Sequence, residues 1–448
     1  MLNHVQKNLS NGGDVIVLNT GAKIGPESEA MLQALHSRST GGLMKHLKIL
    51  EEKGSEGFMK TFYVGYGHKS IADCGSASVF VEGVSMLAAK AIQDWRLYSG
   101  QEASTRYVDF SAQAFIDPVG TSESQEILEG WRSLYLAAQK PVDEFLYKQF
   151  PRQEGEDEKV YNKAIAARRF DITRSLLPAG ASTNLAWHSN LRQFSDALLL
   201  LRHHPLKEVQ EVAQVIEESL QEAFPGSFDT TLRFPKTEEY NRKWMQSKHL
   251  YTKKIPIDGL RMIQDSVDRE LLQTYEKFLQ KRPEKTELPV QIAECGTLQY
   301  EFLLDFGSFR DIQRHRAVVQ RMPLLTTQHG FHPWYMQEFP EEFKKIVVKT
   351  LAEQLEKISK LGLSKEEEQY LIPMGYQVPC RITGDLRALV YLAELRSTRF
   401  VHPTLRSIAL LMVDDLKDRF SEHGLVMYKD EDPHRFDIRR GLHDITMK

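Results

Sequence analysis

The succession of apolar and polar positions divides the chain into short β-like runs and longer helical ones. Val15–Asn19 (VIVLN) reads as a strand with a turn-rich exit over Gly21–Ser28. Residues 29–53 read as helix, and Phe80–Trp95 reads as a mostly apolar helix. Gln125–Phe150 and Lys207–Phe224 are amphipathic helices, the second stopped by Pro225-Gly226. Phe194–Arg202 reads as a helix ending in Arg202-His203-His204 before Pro205. Glu341–Lys360 is a polar helix, and His402–Phe420 mirrors Lys207–Phe224. Between these halves, residues 227–260 are polar and basic with Pro235 and Pro256, a connector by composition.

The pattern occurs twice. Ser70–Arg96 reads SIADCGSASVFVEGVSMLAAKAIQDWR, and Gln291–Arg316 reads QIAECGTLQYEFLLDFGSFRDIQRHR. Both contain Ile-Ala-acid-Cys-Gly and both end in Ile-Gln-x-x-Arg, in the same order. A period of about 220 residues is far too long for a solenoid. It indicates two fused copies of one domain, and 448 residues exceed what one core organises. The expected division is 1–230 for the first repeat, 231–260 for the connector and 261–448 for the second repeat.

Charge narrows the function classes. With 58 basic and 61 acidic residues there is no electrostatic footprint for a long nucleic acid and no polybasic membrane patch. No apolar run approaches the roughly 20 residues that span a bilayer, and the first residues lack the continuous apolar centre of a signal peptide. Cys74, Cys295 and Cys380 form no CxxC pair, which argues for reduced thiols and against a zinc site. His203 and His204 suit a helix end, where cations are favoured. His329 and His332 read as loop residues without an attached carboxylate motif. The expectation is a soluble, cytoplasmic protein with no metal.

Candidate chemistry lies in four stretches. Glu102, Ser104 and Arg106 alternate just after an apolar run, so an extended backbone puts all three on one side. Such a set can cradle a nucleotide phosphate, although an exposed loop edge has the same composition. In YVGYGHKS, Gly65 and Gly67 permit close approach of a ligand, while His68 and Ser70 can donate to a phosphate. Asn190 and Arg192 follow the Arg174-Ser-Leu-Leu-Pro178 segment. Arg314-His315-Arg316 on a helix would point in different directions, which suits a large, multiply charged cofactor.

In this order the motifs resemble the flavin-dependent thymidylate synthase family. The first copy carries Gly67-His68-Lys69-Ser70, then Ser99, Glu102, Ser104 and Arg106-Tyr107, then Arg174-Ser-Leu-Leu-Pro178, Asn190-Leu-Arg192 and Leu201-Arg202. The second carries Arg314-His315-Arg316, Pro373, Arg387 and Leu395-Arg396. The departures are complementary. The family's Arg-His-Arg is Asp94-Trp95-Arg96 in the first copy, and its Glu-x-Ser-x-Arg is Met322-Pro-Leu324-Leu-Thr326 in the second. The second copy also has Gln369 where the family has the arginine before Leu-Pro, and Asp385-Leu-Arg387 for Asn-x-Arg.

The resemblance implies an α+β fold, helices packed on a small antiparallel sheet, present as two fused copies. It implies reductive methylation of dUMP at C5 through FAD, with NADPH and methylenetetrahydrofolate as co-substrates. His68, Ser70, Asn190, Arg314, His315 and Arg316 would then bind FAD. Glu102, Ser104, Arg106 and Arg174 would hold the nucleotide, and Arg202 or Arg396 would polarise the pyrimidine. The family is homotetrameric, so a duplicated chain would form a homodimer that mimics it. A diverged flavoenzyme acting on another nucleotide, and a non-catalytic nucleotide-binding scaffold, are the competing readings.

Overall fold

The computed structural model describes residues 4–18, 24–37, 42–65, 67–103, 110–249 and 259–430. They fall into two compact units. One holds residues up to 118 together with 180–249, and the other holds 119–179 together with the chain from 250 onward.

Each unit is built on one small sheet flanked by helices, the α+β arrangement expected. The first sheet contains β1 (His4–Asn8), β2 (Asp14–Leu18), β3 (Ser76–Ser85), β4 (Ser99–Glu102) and β5 (Ser182–Asn190), in the order β1-β2-β3-β5-β4. The second contains β6 (Leu260–Asp265), β7 (Thr297–Asp305), β8 (Val319–Arg321) and β9 (Gln377–Asp385), in the order β6-β7-β9-β8. All pairings are antiparallel. Without β1 the two orders are the same, so the duplication is visible in topology as well as in sequence.

The central pairs also match. β3 runs from Ser76 opposite Asn190 to Ser85 opposite Ser182, and β7 from Thr297 opposite Asp385 to Asp305 opposite Gln377. Alternate side chains enter the cores: Val79 and Val81 on β3, Leu185 and Trp187 on β5, and Leu298, Tyr300, Phe302 and Leu304 on β7. Each of these four strands passes directly into a helix through a capping side chain. Ser85 accepts from the Ala88 amide, Asn190 from Gln193, Asp305 from Ser308 and Asp385 from Ala388. The Asn190 and Asp385 positions thus differ between repeats yet do the same work.

The shared Ile-Ala-acid-Cys-Gly has a packing cause. Ile71 and Ile292 are buried, and the glycine lets a neighbouring backbone segment pass close by. A Cβ on Gly75 would lie 2.3 Å from the Pro26 carbonyl oxygen, and one on Gly296 would lie 2.3 Å from that of Ser266. Gly296 also has φ of 127°, a region open to glycine.

Several elements differ from the sequence reading. Phe80–Ser85 is the second half of β3, and the helix that follows is only Met86–Gln93. The apolar run hid its period of two because both faces of the strand carry partly covered side chains. Residues 29–53 form two helices, Pro26–His36 and Gly42–Lys53. The connector contains a helix of its own, Pro235–His249. The compact units also cut across the repeats, because the helices Ser122–Gln149 and Glu158–Thr173 of the first repeat belong to the second unit. There Trp131 is fully buried and its Nε1 donates to the Leu371 carbonyl at 2.8 Å.

Trp131→Ala is expected to destabilise the protein by about 3–5 kcal/mol in urea titration, from the lost indole and the cavity left behind. Lys357→Ala, at the exposed Lys357–Glu126 pair (2.6 Å), should change stability by less than about 1 kcal/mol.

Candidate functional site

In the second unit the helix Phe306–Ile312 organises a cluster of candidate residues. Its cap, Asp305, accepts through Oδ2 from the Ser308 amide and from the Tyr335 hydroxyl, each at 2.9 Å. Burial and Asp305 keep Tyr335 a neutral phenol. At the same end lies Arg174, from the first repeat, whose Nη2 is 3.4 Å from Ser308 Oγ. The Arg174 Nε and the Asp305 Oδ1 are sealed from solvent without a hydrogen-bond partner. Burial alone would lower the Arg174 pKa, but Tyr335, Asp171 and Asp305 outweigh it and raise it. An arginine with an unused buried donor is poised for a further acceptor.

Just past the other end of the helix come Arg314 and Arg316, exposed, with His315 buried between them. The Gln320 amide donates to the carbonyls of Ile312 and His315, each at 2.9 Å, and so fixes this turn. Arg396, the last residue of the helix Leu386–Arg396, donates Nε to His315 Nε2 at 2.8 Å. A ring that accepts at Nε2 carries its proton at Nδ1. The Tyr391 ring meets His315 edge-on at 5.8 Å. Burial, with Arg396 beside it, pushes the His315 pKa down to about 3. Burial and then Arg314 lower that of Arg396, against the opposing pull of Asp311.

Asp311 is the electrostatic neighbour common to Arg174, His315 and Arg396. Within the second unit, Arg174 of the first repeat meets Ser308 at one end of this helix, and Arg396 meets His315 past the other. Asp311 was missed in sequence, where its only signal is a place three residues before Arg314.

In the first unit the His68 and Asn190 motifs lie side by side. His68 precedes the short helical turn Lys69–Cys74 as its N-cap residue and Ser70 lies within it, both exposed. Asp73 on that turn accepts from Asn190 Nδ2 at 3.2 Å and from Arg192 Nη1 at 2.9 Å, while Lys69 pairs with Asp196 at 2.9 Å. Asn190 is thus occupied at both ends of its amide, by its cap and by Asp73. Glu102, at the end of β4, accepts from Gln93 Nε2 at 2.7 Å. Ser104 and Arg106 lie outside the described residues. Arg202 donates Nη1 to Glu217 at 2.6 Å and Nε to Glu238 at 3.0 Å, and its Nη2 also bonds Glu238. Burial would lower its pKa, and these two carboxylates together raise it. It lines a cavity of about 490 Å³ with Tyr63, Lys69, Asp196 and Arg233.

The sequence profile of the thymidylate synthase complementing protein family matches residues 24–226 and again 274–420. The chain belongs to this family. Its two matched segments accord with the repeated sheet order and the repeated caps. A UPF0159 protein of Chlamydia pneumoniae is 26% identical over 410 residues, 78% of this chain and 76% of the relative. One from Thermoplasma acidophilum is 26% identical over 440 residues, 82% and 87% of the two chains. One from Chlamydia muridarum is 24% identical over 419 residues, 80% and 78% of the two. The helix Pro235–His249 falls between the two family segments. Among the described residues no helix is long and apolar enough to cross a membrane, and no group of three or more metal-ligating side chains converges.

The buried imidazoles set an acid limit on stability. His315 is neutral when folded, with its pKa near 3, whereas the unfolded chain takes up the proton near pH 6.5. Its contribution is complete above about pH 6.5 and is lost as pH falls from there toward 3, by up to about 1.4 kcal/mol per pH unit. His332, lowered by burial, acts in the same direction. Urea midpoints measured from pH 7 to pH 4 should fall, and less steeply in His315→Gln.

Proposed function

We propose that the chain catalyses the reductive methylation of dUMP at C5, with FAD as cofactor and with methylenetetrahydrofolate and NADPH as co-substrates. The observation that carries this reading is the hydrogen bond from Arg396 to the buried, neutral His315, beside the exposed Arg314 and Arg316, in a member of this family.

The donor set suits FAD. Arg314 and Arg316 are exposed cations on one turn, a match for a pyrophosphate, and His68 and Ser70 sit on a glycine-bearing loop open to solvent. FAD would relay hydride equivalents between NADPH and the one-carbon unit. The residues of the chain would bind and orient. Arg174 has an unpartnered Nε to offer to the nucleotide, with Glu102, Ser104 and Arg106 supplying the rest of the phosphate and sugar cradle. Arg396 would polarise a pyrimidine carbonyl, its Nε held by His315 so that its two amino groups face the base.

This reading alters two assignments. A neutral, buried His315 offers no charge to a flavin phosphate, so its part is to position Arg396. Asn190, bonded to Asp73 and to its own helix, would shape the His68 loop instead of bonding the cofactor. Sites formed between chains of a cytoplasmic homodimer would follow the family's assembly.

Purified protein mixed with FAD should show a flavin absorption band that shifts when dUMP is added, and should form dTMP once both co-substrates are present. A flavin band indifferent to dUMP would point to another nucleotide substrate. Absence of flavin binding would leave a scaffold.

A further inference from the structure

The chain that follows the second family segment returns to the helix Leu386–Arg396. The matched segment ends at residue 420, and residues 425–430 come after it without regular structure. On one side of Arg396, Glu394 Oε1 accepts from the Tyr428 amide at 2.8 Å. The same carboxylate is gripped by both Nη atoms of Arg282, a bidentate pair. Arg282 is buried, and its Nη2 also donates to the Val426 carbonyl at 2.9 Å. Its guanidinium lies 5.1 Å from the centre of the Tyr428 ring, whose hydroxyl donates to the Arg282 carbonyl.

On the other side of Arg396, Asp430 Oδ2 accepts from the Arg399 amide at 2.8 Å and from its Nε at 3.2 Å. Arg406 links the helix end to this segment. Its Nε donates to the Ser397 carbonyl at 3.0 Å and its Nη2 to that of Asp430 at 3.2 Å. Ser397 is the C-cap of the helix, and the last carbonyls of a helix find no partner within it. An end left without partners frays, and Arg396, its last residue, would lose its place beside His315. We propose that residues 425–430 are a brace that positions Arg396, with Tyr428 and Asp430 as its positioning residues. The consequence for a ligand rests on the proposed function; the ordering of the helix end does not.

The ligand half is tested by titration calorimetry of flavin-loaded protein with dUMP. Asp430→Ala should weaken dUMP binding by about fivefold or more while flavin affinity stays within about twofold. Asp430→Asn keeps an oxygen for the Arg399 amide and should lie closer to the wild type. Because the brace acts only through Arg396, adding Asp430→Ala to Arg396→Met should cost no further affinity. Unchanged dUMP affinity in Asp430→Ala, or additive losses in the double variant, would overturn the inference.

The second half needs no nucleotide and separates the inference from a failure of the proposed function. Hydrogen exchange of the ligand-free protein is followed by mass spectrometry on peptides spanning residues 390–398. Asp430→Ala and Tyr428→Ala should each speed exchange there by about fivefold or more, with β9 unchanged. If the wild type binds no dUMP, or Arg396→Met binds it unchanged, the proposed reading of Arg396 fails and exchange alone decides on the brace. Faster exchange confined to the helix end upholds it, and unchanged exchange overturns it.

Discussion

The hydrogen bond from Arg396 to His315 is the contact on which the candidate site depends, and it follows from how antiparallel strands hand over to helices. β7 and β9 run in opposite directions, so the helices that follow them start at opposite ends of the ladder. Asp305 and Asp385 cap those starts, and each helix packs back on the strand it leaves. Two helices returning from opposite ends bring residues past their far ends together. His315 and Arg396 are those residues. Burial keeps the imidazole neutral, and neutrality is what lets it accept from an arginine instead of repelling one.

The first repeat has the same strand order and the same caps but no acceptor at the equivalent position. Trp95 stands there, and with the caps Asn190 and Asp385 matched Leu201 stands opposite Arg396; Arg202, one residue on, pairs with Glu217 and with Glu238 of the connector. The departures from the family pattern are complementary between the copies. In sequence, the second repeat has Met322 and Leu324, both buried, where the first has Glu102 and Ser104. The first keeps Glu102 and the His68 loop.

Much of this was legible in sequence because it is local. The repeat was visible in Ile-Ala-acid-Cys-Gly, where a glycine must let a neighbouring backbone pass, and the long amphipathic helix Ser122–Gln149 followed from its spacing. What was hidden is tertiary. Phe80–Ser85 reads as helix until its pairing with β5 is known, because both strand faces are partly covered. The helix Pro235–His249 has few apolar residues to announce it, and is tied by Glu238 to Arg202. Asp311 has no motif at all, yet its charge acts on Arg174, His315 and Arg396. The placement of Arg174 in the unit of the second repeat could not be read from a repeat boundary.

The central claim is that Arg396, held by His315, would read the nucleotide. Equilibrium dialysis of flavin-saturated protein against radiolabelled dUMP measures this directly. The account predicts saturation at one nucleotide per chain. Two per chain would mean that the first repeat serves a site without such a pair, and none would mean that Arg396 and its imidazole read something other than dUMP.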